Sequence, residues 1–457
     1  MSVLLISTYD LGRQPFGLAS PAAWLREAGI GVTCVDLAKE RLPEEAVKAA
    51  ELVGFYLPMH TATRLALPVI DRVREWNPSA RLVAYGLYAP LNDALLRAGG
   101  VGTILGGEFE QALVDLARFG SGSDPEMSPA AAFRGQTPGS QELPRLEFRV
   151  PARDTLPPLT RYATLHTGDN RRIVGYTEAS RGCKHRCRHC PIVPVYDGRF
   201  RIVAVNTVLA DIRAQVESGA RHITFGDPDF FNGPRTALEI VQRLARECPG
   251  VTYDVTIKVE HLLKHAAALP VLRDTGCAFV TSAVESLDDE VLAKLEKGHT
   301  RADFEEVVTR FREAGLTLAP TFVAFTPWTT IGTYLDLLHT IDRLDLVEHV
   351  APIQFAIRLL IPQGSRMLEL PDIRALAGPF DATWLTHPWT HPDPRVDALQ
   401  ETISHVVGMR LDASRSAVFC RIWNAAHRAA SAAPPPRRDM GAMPRATVPY
   451  LDEPWYC

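Results

Sequence analysis

No apolar run among the 457 residues is long enough to span a membrane, so a helical membrane protein is not expected. The first seven residues carry neither the basic stretch nor the long apolar core of a secretory signal. Net charge is only −4, which supplies no basic field for general nucleic-acid binding. Cysteine is sparse, at eight residues, and three of them crowd into one short stretch. That usage fits a reducing cytoplasm better than a disulfide scaffold. No internal repeat is evident. A chain of this length, 46% hydrophobic and 22% charged, is expected to fold as two or three globular domains.

Residues 1–120 alternate strand and helix patterns. Strands are expected at 3–7, 32–37, 52–57, 81–85 and 102–105, with helices at 19–28, 64–76, 91–98 and 109–119. Such alternation predicts an open parallel sheet with helices on both faces. Ligands bind such sheets beyond the carboxyl ends of the strands. Those ends carry Asp10, Tyr56, Gly106 and Gly107. Residues 121–172 are rich in Gly, Ser and Pro and read as a linker. Alternation resumes at 173, with strands expected at 173–177, 222–225, 253–259, 278–283, 318–325 and 353–360. Six such units predict a partial (β/α)6 barrel over 173–370, with chemistry at the strands' carboxyl ends. Residues 371–457 read as a small, mainly helical region with a tail.

The crowded cysteines are Cys183, Cys187 and Cys190, spaced C-x3-C-x2-C after the first barrel strand. Three thiolates on one loop can hold three irons of a cubane and leave the fourth open, whereas electron-transfer clusters use four cysteines. The other reading is a zinc site completed by His185 or His189, although no second Cys/His pair lies nearby.

This spacing resembles the signature of radical S-adenosylmethionine (SAM) enzymes. The resemblance implies a [4Fe–4S] cluster whose open iron binds SAM, one-electron cleavage of a carbon–sulfur bond, and a carbon radical. Phe225-Gly226-Asp227-Pro228-Asp229 stands where the family places a SAM-ammonium turn. Ser282-Ala283-Val284-Glu285-Ser286 with Lys297-Gly298 resembles its fourth-strand motif. By that resemblance Gly226, Asp227, Lys258, Ser282, Glu285 and Arg358 are the SAM contacts. Lys297-Gly298 also reads as a helix C-cap. Lys258 and Arg358 also read as structural salt-bridge partners.

The leading α/β domain looks like the Rossmann-like, flavodoxin-like cobalamin-binding domain of the B12-binding radical SAM class. That likeness makes Asp10, Tyr56, Gly106 and Gly107 the cobalamin contacts. The motif Asp-x-His-x-x-Gly, whose histidine ligates cobalt, is absent. The tail, Val448 to Cys457, resembles a radical SAM subgroup named for a Cys-Cys-Ala-Glu-Pro ending, but Tyr450-Leu451 replace the paired cysteines.

The resemblance implies a cobalamin-dependent methyltransferase acting on a small molecule. Its electron donor is expected to be a flavodoxin or ferredoxin. Nucleic acid and membrane are not expected as partners. Cobalamin-independent rearrangement and aminocarboxypropyl transfer remain alternatives, as does a catalytically dead, metal-stabilised binding protein.

Overall fold

The computed structural model describes residues 2–119, 147–168, 170–408, 413–435 and 448–451. Strands β1 (Ser2–Ser7), β2 (Gly31–Asp36), β3 (Leu52–Tyr56), β4 (Arg81–Tyr85) and β5 (Thr103–Leu105) pair in parallel in the order β2-β1-β3-β4-β5. This is the flavodoxin-like order. Strands covered on both faces read as continuous apolar runs, and β1 does: Val3, Leu4, Leu5 and Ile6 are all buried. Leu4 and Ile6 join a cluster with Val47 and Ile70 on one face. Val3 and Leu5 join Leu25 and Leu113 on the other. Helices Glu44–Ala49 and His60–Trp76 cover the first face, and Phe16–Glu27 and Glu110–Phe119 the second. The predicted helix over 91–98 is two short pieces, Tyr88–Leu91 and Asp93–Ala98.

The second half opens with an antiparallel hairpin, β6 (Thr164–Thr167) and β7 (Asn170–Thr177). A separate antiparallel pair, β8 (Ser180–Gly182) and β9 (Phe200–Ile202), follows. Then come β10 (His222–Phe225), β11 (Thr252–Thr256), β12 (Cys277–Glu285) and β13 (Leu318–Phe322). From β7 to β13 every pairing in the main sheet is parallel. The edge beyond β7 is completed by β6 and β14 (Tyr450–Leu451). Helices Val205–Glu217, Pro234–Glu247, Arg301–Ala314 and Ile331–Arg343 connect the strands and share one core with them. The result is an α/β partial barrel.

Three expectations change. The predicted sixth strand at 353–360 is a 3-10 turn, Pro352–Phe355, followed by a single parallel bridge between Phe325 and Arg358. Proline cannot donate to a ladder, and the Gln354 side chain already accepts from the Phe322 amide at 2.9 Å. The described part of the predicted linker contains β6 and the start of β7; 121–146 lies outside the described residues. The predicted strand over 253–259 ends at Thr256, because Val259–Lys264 is a helix that Lys258 precedes.

The C-terminal helices Pro394–Gly408 and Arg415–Ala429 place Ile403, Phe419, Ile422 and Trp423 in the barrel core. In the tail, Tyr450 stacks on His166 with ring centroids 4.9 Å apart. Glu453, Pro454, Trp455, Tyr456 and Cys457 lie outside the described residues. Among the described residues no helix is long and apolar enough to cross a membrane.

Arg153 binds the two halves together. Its guanidinium pairs with Asp211 at 2.6 Å and donates to Gln14 of the first half and the Tyr176 carbonyl of the second. Asp211 is buried. Arg153→Ala is expected to strand that carboxylate and lower stability by roughly 3–5 kcal/mol, read as a lower denaturant midpoint.

Candidate functional site

Cys183, Cys187 and Cys190 lie in the loop between β8 and β9, at the carboxyl-end side of the barrel sheet. The loop begins at Gly182, whose φ is +74° and where a Cβ would come within 2.5 Å of the Arg199 carbonyl oxygen. A glycine is therefore needed immediately before the first cysteine. Asp227, in the turn after β10, accepts from the Ala179 amide at 3.0 Å and the Ser180 hydroxyl at 2.5 Å. Burial lifts its carboxyl pKa to about 7. Asn232 spans the entry, donating to the Gly182 carbonyl and accepting from the Lys184 amide. The far side is tied by the Arg188 amide to the Leu295 carbonyl at 2.9 Å.

Cys183 and Cys187 are buried and Cys190 is half-buried. Burial pushes the Cys183 thiol up to about 11 and Cys190 to about 12. Deprotonated sulfurs here need compensating positive charge. Two buried lysines stand ready: Lys258 Nζ is 3.7 Å from Cys187 Sγ, and Lys297 acts on Cys187 and Cys190. A tetrahedral zinc ion would draw its donors to within a few ångströms of one another. Among the described residues, no trio that includes these cysteines lies within 4.8 Å. His189 turns to Glu285 at 3.1 Å, and His185 faces Asp229 and Glu260.

His189 Nε2 lies 3.1 Å from Glu285 Oε1, and Lys297 Nζ lies 3.3 Å from the same oxygen. Burial opposes the Glu285 charge, but Lys297 and His189 outweigh it and hold its pKa down to about 2. Because the folded value lies below the ordinary 4.5, this contribution to stability is present above about 4.5. It is lost as pH falls toward 2. Glu285 also takes a left-handed backbone, φ +70°, beside a register shift in β12. That conformation is uncommon for a non-glycine residue, and strain of this kind concentrates at functional sites. Lys297, read from sequence chiefly as a helix cap, is a buried ion-pair partner. The signal was its place in the motif.

The other predicted contacts divide. Ser282 donates to the Ile257 carbonyl at 2.8 Å, so its hydroxyl serves the strand. Gly226 is covered by Tyr176, whose hydroxyl stands 1.7 Å from where a Cβ would be. Arg358 is not brought to the cysteine loop: it pairs with Asp397 at 2.6 Å and lies 3.6 Å over the Trp389 ring. In the first half, Tyr56 packs on Tyr85, Phe109 and Gly17. Gly106 is closed off by Pro90 and Val195. Gly107 turns the chain with φ +58°. Asp10 is buried at the end of β1, its carboxyl lifted to about 7 by that burial. Nearby Ser7 Oγ and Arg13 Nε are buried without hydrogen-bond partners among the described residues. Arg13 lies 4.7 Å over the Tyr176 ring, at the junction of the halves.

The first half also reaches the cysteine loop directly. Arg181, two residues before Cys183, pairs with Glu110 at 2.6 Å and Glu108 at 3.2 Å. The Tyr196 hydroxyl donates to Glu108.

A family model described as the radical SAM superfamily matches residues 177–337, which include all three cysteines, Glu285 and Lys297. Those residues are a radical SAM domain. Hopanoid C-3 methylase of Methylococcus capsulatus is 25% identical over 338 residues, 72% of this chain. The chain spans 64% of that protein's length, less than two thirds. Two solved structures share the fold. One is the cobalamin-dependent S-adenosylmethionine radical enzyme OxsB with aqua-cobalamin bound: TM-score 0.70, 15% identity, 90% of this chain and 67% of that one. The other is the radical SAM methyltransferase TsrM of Kitasatospora setae with cobalamin and a [4Fe–4S] cluster bound: TM-score 0.58, 16% identity, 94% and 99%. The likeness extends past the radical SAM domain to the flavodoxin-like half.

The Asp227 clamp makes a prediction. Asp227→Ala leaves the Ala179 amide and the Ser180 hydroxyl buried and unpaired, costing about 1–3 kcal/mol. Iron retained by the reconstituted variant should fall below the wild-type content, while Asp227→Asn, which keeps an acceptor, should retain most of it.

Proposed function

We propose that the chain is a cobalamin-dependent radical SAM enzyme that methylates a small molecule. The observation that carries this is the buried loop of three cysteines with Lys258 and Lys297 at its sulfurs, pressed against the strand ends of a flavodoxin-like sheet. Cys183, Cys187 and Cys190 would hold a [4Fe–4S] cluster. When bound, the cluster supplies the electron that cleaves SAM and cobalamin supplies the methyl group.

The protein's own groups have definable tasks. Lys258 and Lys297 offset thiolate charge in a buried setting. Glu285, kept ionised by Lys297 and His189, can accept hydrogen bonds from the SAM ammonium or ribose. Lys258 can face the SAM carboxylate. Asp227 holds the loop from behind. At the β1 end, Asp10, Ser7 and Arg13 present polar groups that a corrinoid's amides would satisfy. The packing of Val195 against Gly106 and of Tyr196 against Glu108 would hold the two cofactor positions near each other and help exclude water from a radical. A low-potential donor such as flavodoxin or ferredoxin would supply the electron, and a reducing cytoplasm suits the thiolates.

The test is anaerobic reconstitution after purification with hydroxocobalamin. The expected result is four irons and one cobalt per chain, with 5′-deoxyadenosine released from SAM on reduction. The triple variant Cys183→Ala, Cys187→Ala, Cys190→Ala should lose the irons and the release. Stoichiometric zinc without SAM cleavage would contradict the cluster. Four irons with no retained cobalt would remove the methyl-transfer reading and leave the radical chemistry.

A further inference from the structure

A group of three side chains of metal-ligating type lies at the cysteine loop. His185 is in the loop, Asp229 follows the turn after β10, and His261 is on the helix after β11. One ligand atom from each falls within 4.8 Å of the others. His261 Nδ1 is 2.6 Å from Asp229 Oδ2, and His185 Nε2 is 3.3 Å from it. Asp229 and His261 are fully buried.

These are close charge-paired contacts, but they are poorly aligned as hydrogen bonds. Asp229 Oδ2, His185 Nε2 and both His261 nitrogens lack an aligned hydrogen-bond partner among the described residues. A buried imidazole and carboxylate left in that state are costly. An ion set among them would satisfy all three at once. The other Asp229 oxygen accepts from the Phe231 amide at 3.2 Å, which fixes the carboxylate's orientation. His185 turns its Nδ1 toward Glu260 Oε2 at 3.5 Å. A carboxylate behind a ligating histidine orients it and raises its basicity.

We infer that His185, Asp229 and His261 form a site for one divalent first-row transition metal, zinc or ferrous iron, separate from the cluster. Two imidazoles and one carboxylate suit such ions and leave coordination positions open. The three residues come from the ends of successive barrel units. The inference does not depend on SAM cleavage.

The experiment uses the full chain with its cluster reconstituted. After incubation with zinc chloride and gel filtration, metals are counted and the zinc edge is read by X-ray absorption. One zinc beyond four irons, with only nitrogen and oxygen neighbours, is expected. Asp229→Asn and His261→Ala, each still holding four irons, should bind zinc at least about 100-fold more weakly, and Glu260→Gln about 10-fold more weakly. No zinc on the wild-type four-iron protein, sulfur neighbours at the zinc edge, or equal zinc binding by the four-iron variants would overturn the assignment. The edge spectrum of the wild-type protein decides even if a variant fails to fold.

Discussion

Burying three cysteine sulfurs close together is costly unless charge is supplied to them, and the barrel mouth is organised around that constraint. Lys258 reaches Cys187, and Lys297 lies beside Cys187 and Cys190. Neither lysine would be stable there alone. Lys297 is matched by Glu285, and Lys258 has Glu260 at 3.8 Å. The charges thus form a chain from the loop to the ends of β11 and β12. Removing Glu285 leaves Lys297 buried without its carboxylate partner.

The same logic joins the two halves. Arg181 sits just before the first cysteine and gathers Glu108, Glu110 and Glu178. Glu108 and Glu110 belong to the flavodoxin-like half, so this guanidinium ties the cysteine loop to that half, beside the link made by Arg153. Burial lifts Glu108 to about 7, which eases the crowding of three carboxyls on one cation.

Much of this was legible in the sequence because the signals were local. The apolar runs of β1, β3 and β4 follow from burial on both faces, and the cysteine spacing is a property of one loop. Ion-pair partners were not legible, because they depend on long-range approach. Arg358 reads in sequence as a SAM contact or a salt-bridge partner, and the identity of that partner, Asp397, with Trp389 beneath, came only from the fold. Lys297 looked like a cap until Glu285 turned toward it through a left-handed backbone. Tyr56 and Gly106 sit at strand ends, as expected, but neighbouring side chains cover them. The sixth strand failed because Gln354 takes the hydrogen bond that a strand would have made. His185, Asp229 and His261 are far apart in sequence, and only the barrel's successive units bring them together.

The central claim is that Cys183, Cys187 and Cys190 hold a cluster with one open iron. Electron paramagnetic resonance of the reduced, reconstituted protein tests it most directly. The account predicts a [4Fe–4S]+ signal whose g-values shift on adding SAM, because SAM ligates the open iron. A cluster signal that SAM leaves unchanged, or no cluster signal from protein holding four irons, would contradict it.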